Sequence, residues 1–281
     1  MLYPSNRDVY FDNIKGKLIL LVVLGHLLEF CNSDGVFRFL YVFLYSFVMP
    51  VFVFVSGLFF KPKIRSVFKY LAIYLIFQLV LLGMNYYFSG KPIFLYDFLV
   101  PVWSLWYLLF LIFCYCVAIL FERFGYPKDS LLACSIVLFL LSGFIHVGYF
   151  LSLQRFCAYF VFFALGVCLK IEQVKKYVAA FDNCIIGLFC IGGIVLVSAI
   201  FKADFMPAAF YNSYPYSYFF NYPKWFMFAI RVMQVVLSFI FGLFLLRNTS
   251  ANKGFYTFCG YFSLLIYLIH SVILFGFHCV E

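Results

Sequence analysis

Charge is what this sequence has least of. Of 281 residues only 11% are charged, eleven acidic positions stand against twenty Lys and Arg, and histidine occurs four times. A chain this poor in charge and 67% hydrophobic cannot clothe a soluble fold, so a soluble globular domain is excluded. The formal charge of +9 does not restore a nucleic-acid reading, because the basic residues lie between apolar runs instead of forming one basic face. Paired cysteine motifs are also missing. The ten cysteines have no C-x-x-C spacing and sit mostly inside apolar runs, where they act as small hydrophobes, so neither a metal site nor a disulfide framework is implied. A bridge is conceivable for one pair, Cys31 and Cys279, both expected near the outer surface. A cleavable leader is not expected, since the stretch before Asn13 is polar and the first apolar run closes on Glu29 without a small-residue cleavage pattern.

What the sequence does have is apolar length. Nine runs, at about 14–31, 37–60, 66–88, 101–121, 130–149, 153–169, 183–201, 225–246 and 255–278, are separated by Gly, Pro, polar or charged punctuation. The reading is an all-α polytopic transmembrane helix bundle with nine to ten spanning helices, in one domain over residues 1–281. If the N-terminus is cytoplasmic, fourteen Lys and Arg fall on inner segments and five on outer ones, with Arg231 inside a span. That asymmetry predicts a cytoplasmic N-terminus. A tight outer turn is expected near Gly148 to Ser152, where two runs meet almost without a linker.

The first run is unusual because ionisable groups lie within it. At about 100° per residue, Asp12, Lys15, His26 and Glu29 fall on one side of a helix. A rise of about 1.5 Å per residue puts His26 about 16 Å deeper than Lys15. Counting depth along the other runs brings Trp106, Arg155, Arg231 and His270 to a similar outer-half level. Ionisable groups at membrane depth are costly and face a cavity or a partner, which predicts a site between helices.

The opening RDVYFDNIKGKLILLVVLGH, with Lys15 and His26 separated by ten positions, resembles the first-helix signature of the integral membrane acyltransferase 3 family. MPVFVFVSGLFF at 49–60, SLWYLLFL at 104–111, RFCAYFVFFALGVCLK at 155–170 and YFSLLIYLIH at 261–270 continue the resemblance in order. Within the family the sequence is most similar to fucose 4-O-acetylase-like sugar acetyltransferases. Two departures stand out: members of the family usually carry a further span after the YLIH helix, and the two arginines, separated by two residues, that some of its sugar acyltransferases carry after the second helix are reduced here to Arg65 in KPKIRSVFK.

The resemblance implies acetyl transfer from acetyl-CoA to a hydroxyl of a surface polysaccharide or its sugar precursor, in a bacterial cytoplasmic (inner) membrane. No permanently bound cofactor is implied. The partners are acetyl-CoA, a sugar or glycan acceptor and the lipid bilayer, with no nucleic acid. His26 is then the general base and Glu29 its orienting carboxylate, while Arg231 or His270 stabilises the developing oxyanion or holds the sugar. Lys15, Lys61, Lys63 and Arg65 would meet the donor phosphates, and Trp106 with Arg155 would meet the acceptor. The alternative is a transporter or flippase for a sugar-containing substrate, using the same buried charges as a relay. Against it, the two halves lack a clear inverted repeat.

Overall fold

The computed structural model describes residues 7–30, 35–202 and 207–280, apart from the side chains of 199–202 and 278–280. Cys31 and the side chain of Cys279 lie outside that description. Among the described residues there are eleven α-helices and no strand. They are α1 (Val9–Phe30), α2 (Gly35–Leu58), α3 (Ile64–Ser89), α4 (Trp106–Arg123), α5 (Lys128–Leu141), α6 (Leu153–Cys168), α7 (Ile171–Ala180), α8 (Asn183–Lys202), α9 (Lys224–Arg247), α10 (Phe255–Tyr261) and α11 (Ser263–Val280).

Each of the nine apolar runs contains an α-helix among its described residues. Five helical stretches, Gly35–Leu58, Ile64–Ser89, Trp103–Arg123, Phe150–Cys168 and Lys224–Arg247, are long and apolar enough to cross a membrane. Two bent pairs, α7 with α8 at 88° and α10 with α11 at 79°, bring the figure to seven. The remaining runs are α1, long enough at about 33 Å but carrying Lys15, Lys17 and Glu29, and α5, whose 14 residues reach only about 21 Å. The protein is an all-helical integral membrane protein.

Punctuation acts through backbone geometry. Gly90 ends α3 in the left-handed region, φ 66°, where its N–H returns to the Tyr86 carbonyl at 2.9 Å. The run expected over 130–149 stops earlier, at Leu141, and passes into an irregular segment through Gly148, Leu151 and Ser152, all at positive φ. The tight turn is therefore present, but longer than the sequence suggests.

Residue contacts divide the chain into two compact units. One is Met1–Phe52, Ile171–Phe210 and Arg231–Tyr267; the other is Val53–Lys170, Tyr211–Ile230 and Leu268–Glu281. Each is held by helix crossings at glycine. In the first, a β-carbon on Gly16 of α1 would collide with the Tyr256 carbonyl of α10, and one on Gly260 with the Asp12 carbonyl. In the second, Gly57 of α2 and Gly166 of α6 are opposed, a β-carbon on either striking the backbone of the other helix. Lipid gives helices little reason to associate by hydrophobicity, so such close backbone approach supplies the packing.

Segments expected on the same side of the membrane meet within each unit. In the first, Lys175 pairs with Asp8 at 2.7 Å and Tyr10 donates to the Leu246 carbonyl at 2.8 Å. In the second, the Leu151 amide reaches the Leu99 carbonyl at 2.7 Å and Tyr149 meets the Tyr214 hydroxyl at 2.6 Å, while Lys128 reaches the Val167 carbonyl at 2.9 Å. This is the grouping that a chain alternating across a bilayer demands.

Candidate active site

In the first unit, polar groups fix the beginning of α1. Asp12, buried, accepts both the Nε and a terminal nitrogen of Arg7, at 2.9 and 2.7 Å. Asn13 donates to the Ser250 and Asn252 carbonyls at 2.8 Å each and accepts the Thr257 hydroxyl at 2.6 Å. Lys17 reaches the Asn248 carbonyl and the Thr249 hydroxyl, both at 3.0 Å. The polar opening of α1 is thus a latch onto the segment joining α9 to α10. Asp12, expected to share a stripe with His26, is held by Arg7 as part of that latch. Lys15, between these anchors, is half-buried.

Further along α1 the helix carries His26 and, one turn on, Glu29. The His26 Nδ1 lies 3.3 Å from a Glu29 carboxylate oxygen, and the two side chains are 13% and 38% exposed. The distance suits an N–H···O contact, and exposure of the carboxylate keeps its electrostatic worth modest. The imidazole meets the Tyr45 ring of α2 edge-on, centroids 6.4 Å apart. With Nδ1–H directed at the carboxylate, Nε2 is the basic nitrogen of that tautomer.

The same turn of α2 receives α9. Arg231, Gln234 and Ser238, spaced three and four apart, are buried on one face of α9. Gln234 donates to the Tyr45 and Phe210 carbonyls at 3.2 and 3.1 Å, and Ser238 to the Ser46 carbonyl at 3.2 Å. Pro50 explains the last bond: lacking N–H, it leaves the Ser46 carbonyl without its helical donor, and Ser238 takes that place. Arg231 is therefore held on a helix face locked to the turn that carries Tyr45.

The second unit contains Trp106, Arg155 and His270. The Arg155 guanidinium lies 4.6 Å over the Trp106 ring and 5.5 Å over that of Tyr149, and its Nε donates to the Tyr211 carbonyl at 3.2 Å. Trp106 also stacks on Tyr159 at 5.7 Å. His270, 6% exposed, is 6.3 Å from the Trp103 ring, and the next residue, Ser271, bonds the Ser104 hydroxyl at 2.6 Å. Trp103 itself sits at φ 46°, a strained place for a bulky side chain.

That strain is supported by Gln78, which the sequence reading passed over. Fully buried on α3, it donates to the Asp97 and Val100 carbonyls at 2.7 and 2.8 Å and accepts the Val102 amide at 3.0 Å. One amide side chain thereby ties down the irregular backbone that leads into Trp103 and Trp106. Gln78→Leu is expected to cost about 1–3 kcal/mol, because three partly buried backbone groups lose their partner. Thermal unfolding of the detergent-solubilised protein checks this. The missed signal is a lone glutamine in an apolar run, a pattern repeated by Gln154 and Gln234, both also buried.

Lys61, Lys63 and Arg65 are exposed on the turn from α2 into α3, where they present positive charge. Beside Arg155, the Tyr149 and Tyr214 hydroxyls are 2.6 Å apart and Tyr214 stacks on Tyr218 at 4.1 Å. Burial and the Tyr149 hydroxyl push the Tyr214 hydroxyl up to about 12, so it stays protonated in any physiological medium.

The geometry defines a class: a helical membrane protein whose first helix carries a half-buried histidine beside an exposed carboxylate, with a second set of arginine, histidine and tryptophan on other helices. The acyltransferase 3 family, described as an acyltransferase domain, matches residues 8–278, and the chain belongs to it. Over 57 residues it is 47% identical to nodulation protein NolL of Sinorhizobium fredii (strain NBRC 101917 / NGR234), covering 19% of this chain and 16% of that protein. It is 42% identical over 57 residues to nodulation protein NolL of Mesorhizobium japonicum (strain LMG 29417 / CECT 9101 / MAFF 303099), covering 19% and 15%. The chain thus matches only a small part of the length of these curated relatives. No solved structure matches it.

Proposed function

We propose that the protein is a membrane O-acetyltransferase that moves acetyl from acetyl-CoA to a hydroxyl of a surface polysaccharide or its sugar precursor. The observation that carries this reading is the His26–Glu29 pair, 3.3 Å apart, on the first helix of a chain matched almost end to end by an acyltransferase family. The Nε2 of His26 takes the proton of the acceptor hydroxyl as its oxygen bonds to the acetyl carbon. The carbon–sulfur bond of the thioester then breaks, and the proton passes on to the CoA thiolate. Glu29 positions the ring and offsets the imidazolium charge while it exists. Arg231, buried and cationic, suits the developing oxyanion, and His270 is a second candidate.

Donor binding falls to Lys15 and to the exposed Lys61, Lys63 and Arg65, whose charge complements the CoA phosphates. Acceptor binding falls to Trp106 and Arg155: the buried Trp106 ring holds the Arg155 guanidinium, whose planar charge suits hydrogen bonds to acceptor hydroxyls. The positive-inside asymmetry supports a cytoplasmic N-terminus, and with it the inner membrane of a bacterium as the location we propose. Family membership favours this reading over a transporter.

Substitution at Glu29 tests the positioning role. Glu29→Gln keeps an acceptor oxygen and is expected to lower kcat by about tenfold, with Glu29→Ala lower still and both KM values unchanged. Loss confined to KM, or equal activity in all three proteins, would remove Glu29 from the chemistry.

A further inference from the structure

We propose that the one-turn helix Tyr216–Tyr218 together with Tyr149 forms a pre-built subsite on which a pyranose ring of the glycan acceptor stacks. The inference rests on the acetyl-transfer reading and deepens it by giving the acceptor a place outside the chemistry.

Four observations define the platform. The Tyr216 ring is buried against Gly143, where any β-carbon would overlap it, and the Tyr216 amide donates to the Gly143 carbonyl at 2.7 Å. The helix is therefore nailed to the segment following α5. From this anchor Tyr214 and Tyr218 stand parallel, 4.1 Å apart and 19° from coplanar, and the Tyr149 ring meets Tyr214 edge-on, 86° between planes. Tyr218 is 45% and Tyr149 40% exposed, so the stack offers open ring surface. Beside it, the exposed His146 Nε2 and Ser217 hydroxyl are 2.7 Å apart, a polar pair on the residue preceding Tyr218.

A pyranose ring carries C–H bonds on its faces and hydroxyls around its rim. An aromatic face has negative π density that attracts those C–H groups, and the His146–Ser217 pair supplies donors and acceptors for rim hydroxyls. Aromatics that merely float in lipid headgroups need no partners, since their amphipathic rings are satisfied by the interface itself. Here three tyrosines hold one another in fixed orientation, which removes the ordering cost from the ligand's side. Tyr149 also links the platform to the acceptor residues, because the Arg155 guanidinium lies over its ring.

The test uses the native chain in detergent, with methyl β-glucopyranoside and methyl β-galactopyranoside as probes and cyclohexanol as the apolar control. Saturation-transfer NMR on the protein aromatics is expected to label the ring C–H protons of a glycoside more strongly than cyclohexanol. Tyr218→Ala should lower that transfer about fivefold, and Tyr218→Phe should retain it. In the transfer assay, Tyr218→Ala should raise the acceptor KM by a similar factor, leaving kcat and the acetyl-CoA KM unchanged. Equal saturation transfer in native and Tyr218→Ala protein, no transfer to either glycoside, or transfer no greater than to cyclohexanol would overturn the subsite. The two readings fail separately. Without acetyl transfer by the native chain the NMR arm still reports on the platform, whereas an intact rate with an unchanged acceptor KM rejects the platform alone.

Discussion

His26→Ala is expected to lower the acetyl-transfer rate by about 10²–10⁴-fold, the range over which a positioned general base acts. The substitution should leave folding and insertion intact. The imidazole is partly exposed, its polar contact is to a more exposed Glu29, and its neighbour Tyr45 is held independently through its backbone by Gln234. A surface-type contact of this kind contributes under about 1 kcal/mol. Initial rates at equal protein level, with unfolding temperature measured on the same samples, separate the two effects. A rate within tenfold of native would deny His26 the role of base.

The second large effect concerns packing. Gly57→Ala places a methyl group into the Phe163 backbone, where no side-chain rotamer can relieve the clash. Helices α2 and α6 must separate, and overpacking of that kind costs about 1–3 kcal/mol or more. Expression at markedly lower level with a fall of several degrees in unfolding temperature is the expected result. Gly83→Ala is the internal control. No atom lies within 4 Å of a β-carbon there, and alanine is the better helix former by about 1 kcal/mol. The control should match or exceed native stability, and equal behaviour of the two variants would refute the crossing.

Much of this was legible in the sequence because membrane helices are written in long apolar runs, and each of the nine runs contains an α-helix, seven of them at most long and apolar enough to span. Angles were not legible. Residues 170–176, with three lysines, read as a linker, yet Ile171–Ala180 forms a helix that buries Val174 and Val178 and lies at 88° to α8. Charge marks a membrane exit but does not distinguish a loop from an amphipathic helix lying across the end of a span. The run at 130–149 was read too long because its apolar character continues after hydrogen bonding has changed at Ser142.

At the site, three-residue spacing on one helix made the His26–Glu29 contact readable, and the pairing of Trp106 with Arg155 joins two residues singled out for the same role. The residues that hold these groups were not readable. Gln78, Gln234 and Ser238 carry no motif, and what each does depends on which irregular backbone faces it. The Ser46 carbonyl needs Ser238 only because Pro50 lies four residues on in the same helix. A search for isolated amides inside apolar runs would have found both glutamines. The Tyr149–Tyr214 pair, by contrast, joins positions 65 residues apart, and only the fold brings them together.

The most direct test of the central claim is the bond that the protein makes. Membranes with and without the native chain are supplied with radiolabelled acetyl-CoA, and the glycan fraction is counted before and after mild alkali. Ester-linked acetyl is released by such treatment and amide-linked acetyl is kept. The account predicts label that appears only with the native chain, is lost on mild alkali and is absent with His26→Ala at equal protein level. Label that withstands alkali, or label that is the same with and without the protein, would contradict an O-acetyltransferase.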